Sequence, residues 1–196
     1  MPLGAFKAAL MGTAGVSTEG DVVLLSSQTA SNSSTISFTS GIASTYGEYI
    51  FKFYNLNPAT DDADFSFQAN VVDASGYNET ITSTVFSAYH DEAETYGDMS
   101  YSVNEDQAQG TAFQSLFDDG GNGSDECSAG TLHLFNPSGT TYVKHFYCRS
   151  QVHNSNNYAK DQFTGGYFNV TGAIDDIQFK MDSGNFDGKI KMWGVK

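Results

Sequence analysis

Strict alternation of apolar and polar residues is the feature of this sequence that most limits its fold. The stretch FSFQANV places Phe65, Phe67 and Ala69 on one side and Ser66 and Gln68 on the other. Because successive side chains of a β-strand point to opposite faces, this pattern predicts a strand with one buried and one solvated face. The same period recurs in GEYIFKFYNL, TTYVKHFYCRS, AIDDIQFKM and FDGKIKMWGVK.

Strand follows strand from Ser34 onward, and internal repeats are absent. We count roughly nine or ten strands, rich in Phe and Tyr. Such strands bury their apolar faces as two packed sheets, so we predict an all-β fold, an antiparallel two-sheet β-sandwich of jelly-roll type, as a single domain over residues 34–196. The best helix candidate, residues 105–117, contains Gly110 and Thr111, which interrupt the helical pattern and leave a strand as the alternative.

The first 33 residues differ from the rest of the chain. They are small, rich in Ser and Gly, and contain only DVVLL as an apolar run that is able to pair as a strand. This composition predicts an extended N-terminal arm over residues 1–33, outside the core and in contact with neighbouring subunits. The first residues make a poor signal peptide, and no run of about 18 apolar residues is present, so no membrane insertion is expected.

The charge of the chain narrows the choice of partners. The formal net charge is −14, which argues against a nucleic-acid duplex, because phosphate binding requires a basic surface. Residues 1–143 hold 18 acidic and 2 basic residues (−16), whereas residues 144–196 hold 5 acidic and 7 basic residues (+2). Two interpretations stay open: copies of the chain attract one another through this asymmetry, or the strands of one sheet carry their lysines outward.

Motifs that carry catalysis are absent from the sequence. It contains no nucleophile elbow, zinc-binding pair, phosphate loop or dinucleotide fingerprint. Carboxylate pairs such as Asp61 and Asp62 occur, but any acidic chain offers them, and a glycosidase needs a pair set in a cleft. His133 and His145 fall on neighbouring strands, either as a metal pair or as two residues of a polar sheet face. We therefore expect no enzyme activity and no catalytic residues.

Two cysteines, Cys127 and Cys148, allow one disulfide but no disulfide framework. Cys148 lies in an apolar strand, where a buried free thiol is the commoner state. The sequence therefore indicates neither redox chemistry nor an oxidising compartment.

One connection between strands, FDDGGNGSDEC, concentrates acidic side chains and glycines. It contains a single copy of the GGxGxD spelling of a calcium-binding β-roll, whereas such repeats work in tandem. Closely spaced carboxylate and amide oxygens are the ligands that Ca²⁺ prefers. The loop is either solvated or a weak calcium site with Asp118, Asp119, Asn122, Asp125 and Glu126 as ligands, and we expect no other cofactor.

Aromatic residues outside the core would offer a second kind of site. Sandwich lectins often bind sugars on exposed aromatic rings, although aromatic residues in strands mostly belong to the core. The candidates for glycan binding are Tyr77, Tyr96, Tyr158 and Trp193.

The tail FKMDSGNFDGKIKMWGVK is similar to the ending of a group of marine bacteriophage proteins, in which a phrase like SGNxDxGxIxxYGV closes the chain. Other stretches resemble the same group: GAFKAALMGTAGVS, EYIFKFYNLNPATDDADFSFQ, DQAQGTAFQSL, LHLFNPSGTTYVKHF and GYFNVTGAIDDIQFKM. The resemblance covers nearly the whole chain. Trp193 stands where the group often has Tyr, and the two cysteines are not part of the pattern.

This resemblance implies a non-enzymatic structural protein of a virion, made in the host cytoplasm, as a capsid decoration or as part of a tail or fibre appendage. Its expected partners are other copies of itself, with a trimer as the first guess, and other virion proteins. The alternative function is a carbohydrate-binding module that recognises glycans on the host surface.

Overall fold

The structure is a computed structural model and describes residues 20–196. Thirteen strands make up this part of the chain, and no helix occurs in it. They are β1 (Val22–Ser33), β2 (Ile36–Phe38), β3 (Glu48–Pro58), β4 (Ala63–Val71), β5 (Ile81–Asp91), β6 (Gly97–Tyr101), β7 (Ala108–Gly110), β8 (Gln114–Gly120), β9 (Ser128–Phe135), β10 (Lys144–His153), β11 (Tyr158–Phe168), β12 (Ile174–Met181) and β13 (Phe186–Val195). Accordingly, the residues described include no helix with the length and apolar character needed to cross a membrane.

The strands form two antiparallel sheets that pack face to face. The large sheet has nine strands in the order β1-β13-β3-β9-β10-β11-β5-β6, with β7 also paired to β5. The small sheet has four strands in the order β2-β12-β4-β8. The all-β, two-sheet sandwich predicted from the alternating pattern is therefore confirmed.

Strand β10 shows how the sequence produces this packing. Its residues alternate between buried and exposed along the strand, so that Phe146, Cys148 and Val152 point toward the small sheet. We call this side of the large sheet the inner face and the opposite side the outer face. Cys148 is a buried free thiol whose burial raises its pKa to about 12, whereas Cys127 is an exposed free thiol.

Phenylalanine rings fill the space between the sheets. The ring centroid of Phe179 lies 5.4 Å from those of Phe51 and Phe53 and 5.8 Å from that of Phe65. Each of these side chains is at most 2% exposed. Aromatic pairs add about 0.5–1.5 kcal/mol each beyond the burial of their area, so this cluster is a main source of the sandwich's stability.

Two lysines also point to the inner face, and each has partners there. The Nζ of Lys144 donates to the backbone oxygens of Tyr142, Val170 and Thr171 at 2.8, 3.2 and 3.2 Å. Burial lowers the pKa of Lys144. These carbonyl groups replace the water that the ammonium group loses on burial.

The second inner lysine, Lys160, forms ion pairs with two carboxylates of β8. Its Nζ contacts Asp118 and lies 3.0 Å from Oδ2 of Asp119. Burial alone lowers the pKa of Lys160, but the two carboxylates raise it overall. Burial is also the main cause of the raised pKa of Asp118, and Lys160 opposes that rise.

Residues 22–33, which their composition assigns to an arm, form the edge strand β1. This strand pairs antiparallel with β13 from Val22, opposite Val195, to Ser33, opposite Phe186. The last strand of the chain is therefore inserted between β1 and β3. Of the arm predicted over residues 1–33, residues 1–19 lie outside the described residues, and residues 22–33 belong to the large sheet.

The segment proposed as the best helix candidate contains strand β7 and the start of β8. Gln114 and Leu116 are fully buried, as in a strand of the sandwich. The Gln114 amide nitrogen donates to the backbone oxygens of Glu105 and Ser115. Gly110 ends β7 and residues 111–113 separate the two strands, so the strand alternative is correct here.

Candidate functional site on the outer face of the large sheet

The outer face carries most of the exposed aromatic and cationic side chains of residues 20–196. One row of directly opposed residues crosses seven strands of the large sheet, from β13 to β6. Because directly opposed residues in antiparallel strands lie on the same face, these side chains share one surface. In order across the sheet, the row is Lys191, Lys52, Thr131, Arg149, Phe163, Phe86 and Tyr101.

Two open grooves lie on this face and share Tyr54 as a common wall. The first, of about 780 Å³, runs over β3, β9 and β10, and its lining includes Lys52, His133, Tyr147 and Arg149. The second, of about 540 Å³, lies over β1, β3 and β13 and includes the two lysines of β13. We call the first the central groove and the second the edge groove.

The alternation of β13 directs its lysines to the edge groove, opposite a bulge in β3. Asp187 pairs with Asn57 and Lys189 with Tyr54, so two steps along β13 match three steps along β3, and the extra residue lies on β3. On β13, Gly188 has φ = +138°. A Cβ at Gly188 would lie 2.7 Å from Cδ2 of Leu56, so the position also requires a residue without a side chain. Along β13, Ile190 points inward while its two lysine neighbours point outward.

The grooves are electrostatically unlike the rest of this acidic chain. The chain has 23 acidic residues, but in the described part no Asp or Glu lines either groove. Within residues 20–196, Lys52, Lys189 and Lys191 have no carboxylate oxygen within 4.0 Å. Lys52 instead lies over the ring of Trp193 and Lys191 over that of Tyr54, each with Nζ 5.5 Å from the ring centroid. The outer face therefore presents cations that are free to meet an anion.

Arg149 is the most firmly oriented cation of the central groove. Its Nε lies 3.0 Å from Oδ1 of Asp161 and its Nη2 lies 2.6 Å from Oδ2. The guanidinium lies over the ring of Phe163, which in turn stacks on Phe86 at 4.9 Å between centroids. Hydrogen bonding to Asp161 raises the pKa of Arg149. This pair fixes the guanidinium plane across the neighbouring strand β11.

A stacked pair forms another part of the wall. The rings of His133 and Tyr147 are 4.5 Å apart and inclined by 13°, and Nδ1 of His133 lies 2.5 Å from Oε1 of Glu48. Tyr147 remains 47% exposed and Tyr54 39% exposed. Such rings offer an apolar face and a polar tip to a ligand on a rigid sheet. Together with the cations, they allow the groove to bind a flat, polar, negatively charged molecule.

The four aromatic residues proposed for glycan binding do not come together. Tyr96 and Tyr158 both lie near the ring of Tyr89, at 5.7 and 5.9 Å between centroids, at the β5–β6 end of the large sheet. Tyr77 lies 6.5 Å from Phe113, beside the small sheet. Trp193 is the only one of the four close to the central groove, beneath Lys52.

The residues proposed for calcium have protein partners in this structure. Asp118 and Asp119 face Lys160, and Oε2 of Glu126 accepts a hydrogen bond from the backbone N–H of Gly123 at 2.6 Å. The backbone N–H of Asn122 donates to Asp61, and Asp125 is exposed. Residues 20–196 include no group of three or more His, Cys, Asp or Glu side chains placed to hold a metal ion. Calcium binding stays a prediction, to be checked by comparing melting temperatures in calcium and in chelator.

A separate group of carboxyls lies near the small sheet. Asp64, Glu105 and Asp182 line a cavity of about 520 Å³ together with Lys180. Burial, followed by the charge of Glu105, raises the pKa of Asp64 to about 7. Burial and the charge of Asp118 raise the pKa of Glu105. These groups make the folded protein sensitive to pH near neutrality.

Sequence reasoning missed most of the residues of the central groove. The missed residues that define its walls are Lys52, Tyr54, Tyr147, Arg149 and Gln151, whereas His133 was named only as a candidate metal ligand. The sequence did contain a sign of a binding face. The outward positions of FKFY and HFYCRSQV hold large aromatic, cationic and amide side chains in place of small Ser or Thr. Only strand order, which the sequence does not reveal, places β3, β9 and β10 side by side.

Comparisons with known proteins leave the function open. No protein-family model matches the chain, and no curated protein matches it. Among solved structures, it is similar to the crystal structure of the marine PL-14 alginate lyase from Aplysia kurodai, with 13% identity, coverage of 76% of this chain and 71% of that chain, and a TM-score of 0.21. A likeness this weak supports no statement about activity or ligand.

Proposed function

We propose that the protein is a non-enzymatic structural component of a bacteriophage particle. The observation that carries this proposal is the set of stretches that resemble marine phage proteins. One of these stretches, GAFKAALMGTAGVS, lies outside the described residues. The others fall on β3 with most of β4, on β7 with the start of β8, on parts of β9 and β10, on the end of β11 with β12, and on β13. They therefore coincide with strands that build both sheets, so the resemblance concerns the scaffold of the sandwich.

Exposed apolar residues near the two ends of the large sheet support assembly through this scaffold. Val22 and Leu24 on β1 are 56% and 51% exposed, and Met99 on β6 is 70% exposed. Edge strands that expose apolar side chains are sites where other chains can pair or pack. Copies of the chain would meet there, with the trimer as the first state to test.

Labelling of intact phage particles with an antibody to this protein tests the proposal, with electron microscopy as the readout. Label on the head would identify a decoration protein, and label on the tail an appendage protein. A variant that lacks residues 2–19 still contains β1. If particles incorporate the parent chain but not this variant, the N-terminal residues attach the protein to the particle. Label on neither head nor tail would contradict the proposal.

The central groove favours a second function, recognition of glycans on the host surface. Its exposed Tyr54 and Tyr147 flank polar and cationic side chains on a rigid sheet. Retention of the purified protein on host-surface glycans tests this function. The double variant with Tyr54→Ala and Tyr147→Ala should lose retention, whereas Tyr142→Ala, which removes a 76% exposed tyrosine outside the groove, should keep it. If the parent protein is retained on host-surface glycans no more than background, glycan recognition is contradicted.

A further inference from the structure

We propose that the central groove binds an acidic oligosaccharide and that Lys52 and Arg149 hold its carboxylate or sulfate group. This inference rests on the proposed glycan function and names the class of glycan. It follows from the spacing of the two cations, from the charge around them, and from the exposed rings of the walls.

The spacing suits one sugar unit. Lys52 and Arg149 are each directly opposite Thr131, one from β3 and one from β10. Neighbouring strands lie about 4.8 Å apart, so the backbones that carry the two cations are about 10 Å apart. Thr131 is short and forms the floor between them. A single sugar ring therefore fits between the two cationic side chains, with its acidic group within reach of both.

The charge around the groove favours an anion. Lys52 has a ring and no carboxylate as its neighbour in the described residues, and the groove lining is free of Asp and Glu there. Asp161 binds only Nε and Nη2 of Arg149, so Nη1 has no hydrogen-bond partner in residues 20–196. A charge-assisted hydrogen bond to an incoming carboxylate or sulfate would use this nitrogen.

The walls favour a saccharide over other polyanions. Tyr54 and Tyr147 line it with partly exposed rings, and Gln151 and Thr131 supply hydrogen-bonding groups of the kind that sugar hydroxyls need. A nucleic-acid duplex would meet the net charge of −14 beyond the groove, and the basic surface is too small to offset it. The observations therefore favour a flexible saccharide with acidic groups spaced along it.

Calorimetric titration with three oligosaccharides of equal length tests the inference, one uncharged, one with uronate units and one with sulfate esters. We expect at least one acidic oligosaccharide to bind about tenfold more tightly than the uncharged one at low salt, and this advantage to shrink as sodium chloride is raised. The uronate and sulfate titrations show which acidic group is preferred. Trp193, the single tryptophan, lies beneath Lys52 and gives a second readout by fluorescence.

Matched variants locate the site. Lys52→Gln and Arg149→Gln should each weaken acidic binding about tenfold and leave uncharged binding unchanged. Lys180→Gln is the control, because Lys180 also lies over an aromatic ring, that of Phe113 at 4.4 Å, but belongs to the small sheet. It should leave binding unchanged.

Three results would overturn the inference in different ways. Equal affinity for uncharged and acidic oligosaccharides would contradict the preference for acidic groups but would leave glycan recognition in place. If none of the three oligosaccharides binds and host-surface glycans do not bind either, both the preference and glycan recognition are contradicted. Tight binding of a polyglutamate peptide without binding of the oligosaccharides would replace the saccharide by a peptide.

Discussion

The two faces of the large sheet are built from the same strands, but the lysines on them have different partners. On the inner face, Lys144 is surrounded by three carbonyl oxygens and Lys160 by two carboxylates. On the outer face, Lys52 and Lys191 lie over aromatic rings without a carboxylate within 4.0 Å among the described residues. The inner lysines therefore serve the fold, while Lys52 and Lys191 on the outer face remain available to a ligand.

Adjacent residues on one strand make this comparison testable. Phe53 and Tyr54 follow each other on β3, but Phe53 is 2% exposed and Tyr54 is 39% exposed. Lys160 and Asp161 follow each other on β11 and belong to a buried and an exposed ion pair, respectively. The same substitution on each side should thus affect stability on one face and binding on the other.

The largest effect should come from Phe53→Ala. Loss of this ring removes contacts with Phe65 and Phe179 and leaves a cavity, so we expect the free energy of unfolding to fall by about 3–5 kcal/mol. Tyr54→Ala should cost less than about 1 kcal/mol, because the side chain is exposed. Urea unfolding followed by circular dichroism measures the free energy of unfolding of both variants. Equal losses of this free energy would contradict the difference between the two faces.

Lys160→Met should have the next largest effect. It leaves Asp118 buried without its cation, and removal of one partner of a buried pair costs about 3 kcal/mol. The control is Arg149→Gln, which breaks an exposed pair and should cost less than about 1 kcal/mol. A Lys160→Met protein as stable as the parent at pH 7 would show that the inner ion pair does not stabilise the fold.

A smaller and pH-dependent effect is expected for Asp64→Asn. The pKa of Asp64 is about 7 in the folded chain and 3.8 ordinarily, so the folded state holds the proton more tightly. Its contribution to stability is present below about pH 4 and is lost as the pH rises to about 7. The asparagine variant should therefore be about 1 kcal/mol more stable than the parent at pH 8, with no gain at pH 4.

Melting temperatures between pH 4 and pH 8 measure this difference. Asparagine retains an oxygen that can accept the 3.1 Å hydrogen bond from the backbone N–H of Asp119. Asp125→Asn, in an exposed loop, is the matched control and should leave the pH profile unchanged. A profile of Asp64→Asn that coincides with that of the parent would show that Asp64 does not titrate differently in the folded state.

The smallest effect concerns the two thiols. In the native protein, maleimide should modify Cys127, which is exposed, and spare Cys148, whose burial raises its pKa to about 12. Intact mass should rise by one label before unfolding and by two labels after it. Cys127→Ser should abolish labelling of the native protein, and labelling that persists in this variant would show that the inner face opens.

Much of the fold followed from the alternating pattern because burial in a sandwich has the same period as the strand. The pattern placed Tyr49, Phe51 and Phe53 together, and all three are buried. It did not reveal the first half of β11, because Lys160 and Gln162 point inward there. Polar residues at buried positions are accommodated only by partners from other strands, and those partners cannot be read from the local sequence.

The candidate site was less predictable than the fold, for a similar reason. Trp193 was predicted as a glycan-binding residue because it is aromatic, and it does lie next to the central groove. Tyr77 and Tyr96, predicted on the same ground, lie elsewhere. The groove depends on β3, β9 and β10 being neighbours, although residues 59–127 separate the first two strands in the chain. A site made by such distant strands leaves no contiguous motif in the sequence.

The insertion of β13 between β1 and β3 has a consequence for the synthesis of the large sheet. Until residues 186–195 have left the ribosome, β1 has no partner in the large sheet and one edge of β3 is open. An open edge can pair with another chain, so a chain in which β13 has not yet paired is exposed to aggregation along β3. Completion of the large sheet therefore requires β13, which joins the earliest and latest strands of the described chain.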